Sequence, residues 1–347
     1  MLGLFALLAT AAFGPADPAP LDLPPAIRPA AFQASFELAA EERLAIPDDV
    51  LARAARFRYV LVGGLNFGGT QGYLTHNARQ LRARGVPAGA VEVIHPDSTR
   101  TIRENADDLR ARIHAIAAKG PEKLVLIAHS RGACDVLAFA LQDAAFVNDR
   151  VDAMFLVQGP FGGSGVADYA AGDGPEADGQ MPLLPRIAVR AGRKIEATLA
   201  DPGRHRAIAE LSHESCSQLW AELIAGHGDA LAVVSPRTFY ITSRTTTAKH
   251  PALQRVTASY LHAYYGPNDG LVALEDQDIP GLGTVLAVLD AGHTDLTRRF
   301  LSARPRAKAR LQKALADSIL LAVGSPREAL VETTFRRTVP APPRGRR

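Results

Sequence analysis

Three short segments of the chain carry the side chains that nucleophilic catalysis needs: a hydroxyl, a base and a carboxylate. The hydroxyl belongs to Ser130, in the middle of Ala-His-Ser-Arg-Gly at 128–132. A serine hydroxyl attacks poorly at neutral pH unless a base removes its proton and a third group orients that base. We therefore interpret Ser130 as a nucleophile on the condition that a histidine and an acid can reach it. The alternative is a serine that only caps a helix.

The residues around Ser130 predict a turn that would expose its hydroxyl. The apolar run 124–128 is typical of a buried strand, and 133–141 is typical of a buried helix. A serine in a sharp turn between strand and helix has strained backbone angles, so the residues two positions before and after it must be small. Ala128 and Gly132 satisfy that requirement.

His293 is the predicted base. With this kind of turn, the partners of the nucleophile lie on loops after later strands, in the order serine, acid, histidine. Six histidines follow Ser130, and only His293 comes directly after a clear strand pattern, at 284–290. The others fall in or beside predicted cap helices, in a polar loop, or within or beside a predicted strand: His205, His213, His227, His250 and His262.

Asp269 is the predicted acid. It lies in Gly-Pro-Asn-Asp-Gly-Leu-Val at 266–272, a strong turn signal. We expect this turn to close a strand formed by the aromatic run 260–265, which would place Asp269 on the same sheet edge as Ser130. Without a catalytic role Asp269 would be an ordinary turn aspartate, and its neighbour Asn268 cannot supply a charge. Five further carboxylates remain open as alternatives: Glu275, Asp276, Asp278, Asp290 and Asp295.

Two backbone N–H groups are expected to stabilise the oxyanion that forms when a serine attacks a carbonyl. One is the N–H of Arg131, directly after the nucleophile at the start of the predicted helix. The other belongs to the loop 63–66, whose two glycines let it fold back toward Ser130. In that loop we favour the Leu65 N–H, with the Asn66 N–H as the alternative.

The elements that must position these residues alternate between strand and helix. Strand patterns at 57–62, 91–95, 124–128, 151–157, 237–243 and 284–290 are separated by helix patterns at 75–84, 98–119, 133–141 and, at the end, 306–323. At least one further helix is predicted within 31–56. This alternation predicts an α/β fold with a mostly parallel sheet and helices on both faces.

Residues 161–235 interrupt the alternation, and they contain helix patterns at 187–199 and 207–225. We interpret them as a cap or lid insertion over the rim. The core is then 31–160 together with 236–323. We interpret residues 1–30 as a signal-like apolar segment, with a predicted cleavage site after Ala16, followed by a Pro-rich linker, although no Lys or Arg precedes the apolar run. We expect residues 324–347 to form a disordered tail. The signal-like segment favours a secreted or periplasmic protein, with a cytoplasmic one as the alternative.

Composition excludes several classes of function. The chain has 347 residues, 47% hydrophobic and 22% charged, and a net charge of +3 that is too small to indicate nucleic-acid binding. The Gly-rich stretch 63–69 lacks the Gly-Lys-Ser/Thr ending of a phosphate-binding loop, and the histidines show no metal-ligand spacing.

Cys134 is predicted to be a small core residue, and a disulfide with Cys216 is left open. We expect no cofactor and no metal, and the oligomeric state is not predicted.

Four segments resemble the α/β-hydrolase fold, and within it the bacterial lipases and carboxylesterases. They are Val-Leu-Val-Gly-Gly-Leu at 60–65, the serine turn at 128–132, the aspartate turn at 266–272 and Ala-Gly-His-Thr-Asp-Leu at 291–296. The resemblance covers the core from about residue 57 to residue 300, without the cap. Two positions depart from the family pattern: Gly63-Gly64 replaces the usual His-Gly, and Ala128 replaces the first glycine of the serine turn.

The resemblance implies hydrolysis of carboxylic esters through an acyl-enzyme. Ser130 would be the nucleophile, His293 the base and then the acid, and Asp269 its orienting group. The apolar helices of the insertion favour a lipid ester and transient contact with a lipid interface. Alternatives are a polyester depolymerase, a thioesterase, or a non-catalytic hydrolase-fold protein that binds apolar ligands. The complete serine, aspartate and histidine set argues against the non-catalytic alternative.

Overall fold

A single parallel sheet forms the centre of the protein. The computed structural model describes residues 27–66, 72–171, 201–250, 252–298 and 305–326. Six strands lie in these ranges: β1 (Arg58–Val62), β2 (Val91–Ile94), β3 (Leu124–His129), β4 (Val151–Val157), β5 (Thr238–Arg244) and β6 (Thr284–Asp290). Their order is β2-β1-β3-β4-β5-β6, and every neighbouring pair is parallel. The predicted parallel α/β sheet is confirmed.

Helices connect the strands and cover both faces of the sheet. In the described ranges they are α1 (Pro29–Ala40), α2 (Asp48–Ala54), α3 (Thr75–Ala83), α4 (Ile102–Ala117), α5 (Arg131–Gln142), α6 (Ala144–Arg150), α7 (Gly165–Ala171), α8 (Pro202–Ala209), α9 (His213–Gly226), α10 (Leu231–Val234), α11 (Ala252–Tyr264) and α12 (Pro305–Gly324). None of them combines the length and the apolar composition needed to cross a membrane.

The strands β1, β3 and β4 are buried at every position. Successive side chains along a strand point to opposite faces, so the sheet contributes to two separate apolar layers. Val60 and Leu126 pack in one layer with α4, α5 and α9. Leu61 and Ile127 pack in the other with α1, α3 and α12. Burial on both faces is the reason for the continuous apolar runs in the sequence.

Two helix predictions needed correction at their boundaries. The long helix predicted over 98–119 begins at Ile102, because Thr101 and Glu104 form a capping box there. The single helix predicted over 207–225 is two helices, α8 and α9. The Ser212 side chain accepts the Ser215 N–H and caps the start of α9, so the helical pattern is interrupted just before this residue. The helix predicted at 187–199 lies outside the described residues.

The strand predicted at 260–265 is wrong, because Tyr260 to Tyr264 form the end of helix α11. The strands β5 and β6 are parallel neighbours, and a chain that joins two such strands must cross over, usually through a helix. Within α11, Ala258 and Leu261 are buried whereas His262 is exposed, which is helical spacing. Asp269 therefore follows a helix rather than a strand.

The described part of the insertion packs on the body of the protein. Leu219, Trp220 and Leu223 of α9 are buried in the same apolar layer as α5. The boundaries of the predicted cap at 161–235 stay a prediction. So do the signal-like segment, the linker and the tail, which lie mostly outside the described residues.

Candidate active site

Ser130 stands in a strained turn between β3 and α5. Its backbone angles are φ 58° and ψ −138°, a region that non-glycine residues rarely occupy. Strain of this kind costs about 1–3 kcal/mol and persists only where the surrounding structure enforces it. Here the Ser130 N–H donates to the Val157 carbonyl at 2.9 Å, which fixes the turn to the end of β4. The hydroxyl is therefore held at the carboxyl edge of the sheet.

Two glycines allow the neighbouring loop to lie directly against this turn. A Cβ atom on Gly132 would come within 2.4 Å of the Gly63 carbonyl oxygen. A Cβ atom on Gly64 would come within 2.8 Å of the Ser130 Cβ and 3.0 Å of the Arg131 nitrogen. The small residue predicted two positions after the serine is therefore required by contact with the loop.

The structure brings the three predicted residues into one hydrogen-bonded line. The Ser130 Oγ lies 2.9 Å from the His293 Nε2, and the His293 Nδ1 lies 2.8 Å from the Asp269 Oδ2. His293 is 4% exposed and Asp269 is fully buried. An ionised carboxylate only accepts hydrogen bonds, so the histidine proton lies on Nδ1. The Nε2 lone pair then faces the serine hydroxyl.

The turn after α11 holds the acid in place. The Asp269 Oδ1 accepts two backbone N–H groups, from Leu271 at 3.0 Å and Val272 at 2.9 Å. The Asp269 carbonyl accepts the His293 N–H at 2.8 Å. Because Oδ1 is fully occupied, Oδ2 remains for the histidine ring. The turn signal in the sequence therefore corresponds to the feature that orients the carboxylate.

The other acids that the sequence left open have different partners. Asp276 contacts His213, Asp290 contacts Lys249, and Asp295 accepts the Gly292 N–H and contacts Lys308. In the described part of the chain, neither these acids nor Glu275 and Asp278 bond to His293.

One loop N–H remains free near Ser130. The Gly64 N–H donates to the Tyr73 Oη at 2.8 Å, and the Asn66 N–H donates to the Ser98 Oγ at 2.9 Å. Among the residues that the structure describes, the Leu65 N–H has no hydrogen-bond partner. Because the Asn66 N–H already has a partner and the Leu65 N–H has none, Leu65 is favoured over Asn66 as a donor to a bound oxyanion.

Arg131 begins α5, and its N–H has no partner among the described residues. Its side chain does not face an opening, because it is 1% exposed. The guanidinium donates to the Arg100 carbonyl and lies 3.3 Å from the Glu210 carboxylate, which comes from the insertion. It also lies 3.9 Å from Asp135, whose pKa burial raises to about 7 although the guanidinium opposes this.

Sequence reasoning missed two polar residues that surround the site. His129 is 1% exposed, with Nδ1 2.5 Å from the Tyr73 Oη and Nε2 2.8 Å from the His293 carbonyl. A histidine at the end of an otherwise apolar strand was a signal for the first of them. No comparable signal marks Tyr73, which approaches the site from the loop before α3.

Sequence reasoning also missed a cluster around His213. The His213 Nδ1 lies 2.6 Å from Asp168, and its Nε2 lies 3.1 Å from Asp276. Its ring stacks on Tyr265, whose hydroxyl donates to Asp168 at 2.9 Å. Burial disfavours the charged imidazole, but the two carboxylates outweigh it and raise the pKa of His213 to about 10. The cluster ties α7 and α9 to the loop that carries Asp269.

Cys134 and Cys216 are both buried and free, so the disulfide left open by the sequence is not formed. Burial raises the pKa of both thiols. In the described ranges, no group of three or more His, Cys, Asp or Glu side chains is arranged to hold a metal ion.

Comparison with known proteins identifies the fold. A sequence model of the lecithin:cholesterol acyltransferase family matches residues 102–235, less than half of the chain. A metagenomic carboxyl esterase superposes with a TM-score of 0.53 and 22% identity, covering 78% of this chain and 76% of the esterase. The mature form of a Bacillus licheniformis lipase superposes with a TM-score of 0.51 and 19% identity, covering 69% of this chain and 85% of the lipase. No curated protein matches significantly.

The chain has the α/β-hydrolase fold. The sheet, the helices on both faces and the two superpositions agree on this point, so the fold predicted from the four sequence segments is confirmed. The solved structures that it resembles include esterases and lipases.

The His213 cluster predicts a specific pH dependence of stability. The pKa of His213 is about 10 in the folded protein and about 6.5 when unfolded, so its stabilisation is complete below about pH 6.5 and is lost as the pH rises toward 10. The difference in free energy of unfolding between the wild type and His213→Gln, measured by urea denaturation, should therefore shrink over that interval. His205→Gln, an exposed histidine of the same insertion, is the control. A difference that stays constant with pH would contradict the prediction.

Proposed function

We propose that the protein is a serine hydrolase that cleaves carboxylic esters through an acyl-enzyme. The observation that carries the proposal is the line from Ser130 through His293 to Asp269, at hydrogen-bond distances and at the carboxyl edge of the sheet. The N–H groups of Leu65 and Arg131, which have no partner among the described residues, support it. The chemistry needs no group beyond these residues and water.

In the first half of the reaction, the Ser130 Oγ attacks the ester carbonyl carbon while the His293 Nε2 takes the hydroxyl proton. The carbonyl oxygen becomes an oxyanion and accepts the N–H groups of Leu65 and Arg131. The tetrahedral intermediate then collapses, the bond to the alcohol oxygen breaks, and His293 gives its proton to that oxygen. Asp269 stabilises the imidazolium that exists between these two transfers.

In the second half, water takes the position of the departed alcohol. His293 removes a proton from the water, whose oxygen attacks the acyl carbon, and the same two N–H groups receive the oxyanion. Collapse breaks the bond to the Ser130 Oγ, and His293 returns the proton to it. The carboxylic acid leaves and the enzyme is restored.

We propose a lipid ester as the substrate. The match to a family named for a lipid acyltransferase and the likeness to a lipase support this class over short acetyl esters. Polyester cleavage and thioester cleavage use the same residues and remain alternatives. We further propose that residues 161–235 cap the site and contact a lipid interface transiently. The N-terminal segment would direct the protein to the periplasm or the exterior.

Covalent labelling tests whether Ser130 is a nucleophile. The folded wild type should react with a fluorophosphonate probe, and peptide mapping should locate the label on Ser130, because its hydroxyl lies 2.9 Å from the His293 Nε2 that would take its proton. Ser130→Ala should give no label, and neither should heat-unfolded wild type, in which His293 no longer faces the serine. Absence of label at Ser130 in folded protein would sink the proposal.

Replacement of the acid tests its role separately. In Asp269→Asn the amide oxygen should take the two backbone donors now bound by Oδ1, which leaves the amide NH₂ against the His293 Nδ1. The ring then keeps its proton on Nε2, the wrong tautomer for a base, and kcat should fall roughly 10⁴-fold. The control is Asp290→Asn, which removes a solvent-exposed carboxylate that pairs with Lys249. Equal kcat for the two variants would exclude Asp269 as the orienting acid.

A second candidate is acyl transfer to an alcohol instead of water. The matched family is named for an acyltransferase, and the match includes β3, Ser130 and α5. An acyl-enzyme can be discharged by either acceptor, since both present an oxygen nucleophile to the same carbon.

One series of assays decides both substrate class and acceptor. p-Nitrophenyl esters from acetyl to palmitoyl are hydrolysed with and without a long-chain alcohol, and the products are separated by chromatography. We expect kcat/KM to rise with chain length and the free acid to be the main product. A sharp preference for acetate would contradict the lipid substrate. Predominant formation of the alkyl ester would establish the acyltransferase instead. Ser130→Ala should form neither product.

A further inference from the structure

A buried chain of hydrogen bonds joins the loop that carries Leu65 to the turn that carries His293. Resting on the proposed function, we propose that His129 and Tyr73 are positioning residues that hold the oxyanion donor and the base in register. Neither residue touches the reacting atoms, so each acts through the groups that it binds.

The first link is at the base. The His129 Nε2 lies 2.8 Å from the His293 carbonyl and 3.2 Å from the Gln158 Oε1. Both of these oxygens only accept hydrogen bonds, so the His129 Nε2 carries a proton. Since the His293 N–H already donates to Asp269, both polar backbone groups of the base are fixed.

The second link joins His129 to Tyr73. Burial, reinforced by the adjacent His293, lowers the pKa of His129 well below its usual value, so the ring is neutral. With its proton on Nε2, the His129 Nδ1 is an acceptor. The Tyr73 hydroxyl lies 2.5 Å from that nitrogen and donates to it.

The third link reaches the loop. The Tyr73 oxygen, having donated its proton, accepts the Gly64 N–H at 2.8 Å. Gly64 packs against Ser130 so closely that a Cβ atom there would not fit. Its fixed position leaves the next N–H, that of Leu65, unpaired beside the serine.

Arg298 strengthens this end of the chain. Its guanidinium lies 4.1 Å from the centre of the Tyr73 ring, within the range of a cation–π contact. It also donates to the Leu65 carbonyl at 3.2 Å. Leu65 is therefore held through its own carbonyl and through the preceding residue, while its N–H remains available.

Every donor in the chain meets an acceptor, in one consistent direction. Gly64 donates to Tyr73 and Tyr73 donates to His129, while the other side of the same imidazole donates to His293. A histidine with only a structural role could form the hydrogen bonds of its two ring nitrogens with any polar groups of the core. This one bridges two separate parts of the proposed machinery, so its loss should displace both relative to Ser130.

Tyr73→Phe is the decisive variant, and Tyr59→Phe is its matched control. Both tyrosines are buried, and the Tyr59 hydroxyl donates to the Ala54 carbonyl at 2.8 Å. Tyr59 pairs with Val125, at the end of β3 opposite to Ser130. Both variants should lose thermal stability, Tyr73→Phe the more, because its hydroxyl has two buried partners and that of Tyr59 has one. Only Tyr73→Phe should lower kcat, by about tenfold or more, because displacing an oxyanion donor costs part of what removing it costs. KM should stay within about twofold, since the substrate itself loses no contact.

His129→Gln tests whether the links form one chain. Glutamine can still donate to the His293 carbonyl, but the variant lacks the ring nitrogen Nδ1 that accepts the Tyr73 hydroxyl. If the two residues act together, the double variant with Tyr73→Phe should be little slower than the slower single variant. Independent, multiplying losses would overturn the coupling. Equal kcat for Tyr73→Phe and Tyr59→Phe would overturn the positioning role.

A measurement without substrate separates this inference from the proposed function. In ¹⁵N spectra of histidine-labelled protein, the signals absent from His129→Gln belong to His129. They should report a neutral ring protonated at Nε2 that does not titrate near pH 6.5, because burial lowers the pKa of His129 well below that usual value. A ring that titrates near pH 6.5, or that carries its proton on Nδ1, would overturn the inference. Absence of esterase activity with these spectra intact would overturn the proposed function instead.

Discussion

The strained backbone of Ser130 is the constraint on which the rest of the site depends. A residue with φ 58° is held there only because β3 on one side and α5 on the other are buried almost completely. Their burial supplies the free energy that offsets the roughly 1–3 kcal/mol of strain. The same turn brings a helix N-terminus and a glycine loop within contact distance of one hydroxyl. The loop 63–66, the proposed base His293 and the proposed acid Asp269 are arranged around Ser130, whose position the sheet determines.

Much of the site could be predicted because its residues follow successive strands and helices in a known order along the chain. Parallel strands end at one edge, so a serine, an aspartate and a histidine that follow later elements were expected to meet. The strand at 260–265 failed because an aromatic run of this length fits a helix face as well as a strand. Only the pairing of β5 with β6 shows that a crossover is required. Asp269 nevertheless lies where expected, since its turn brings it to the same edge.

The remaining features depended on facts that a sequence does not contain. The sequence does not distinguish the Leu65 N–H from the Asn66 N–H as a donor. In the structure, the Ser98 Oγ accepts the Asn66 N–H. Tyr73 and His129 meet across a long interval of chain, with no local pattern that pairs them. His213 lay within a pattern consistent with a helix, and its two carboxylates come from segments far before and after it. Contacts of this kind follow from the packing of the whole fold.

The ion pair between Arg131 and Glu210 has a consequence for redesign. It connects the residue after Ser130, the proposed nucleophile, to the insertion, and both charges are mostly removed from solvent. Replacing residues 161–235, the proposed cap, would remove the Glu210 carboxylate and leave the buried Arg131 guanidinium with Asp135 alone, at 3.9 Å. Breaking a buried ion pair typically costs about 3–5 kcal/mol. The segment that carries Glu210 thus helps to stabilise the turn at Ser130. Any replacement of residues 161–235 should therefore keep a carboxylate at position 210, or remove both charges together.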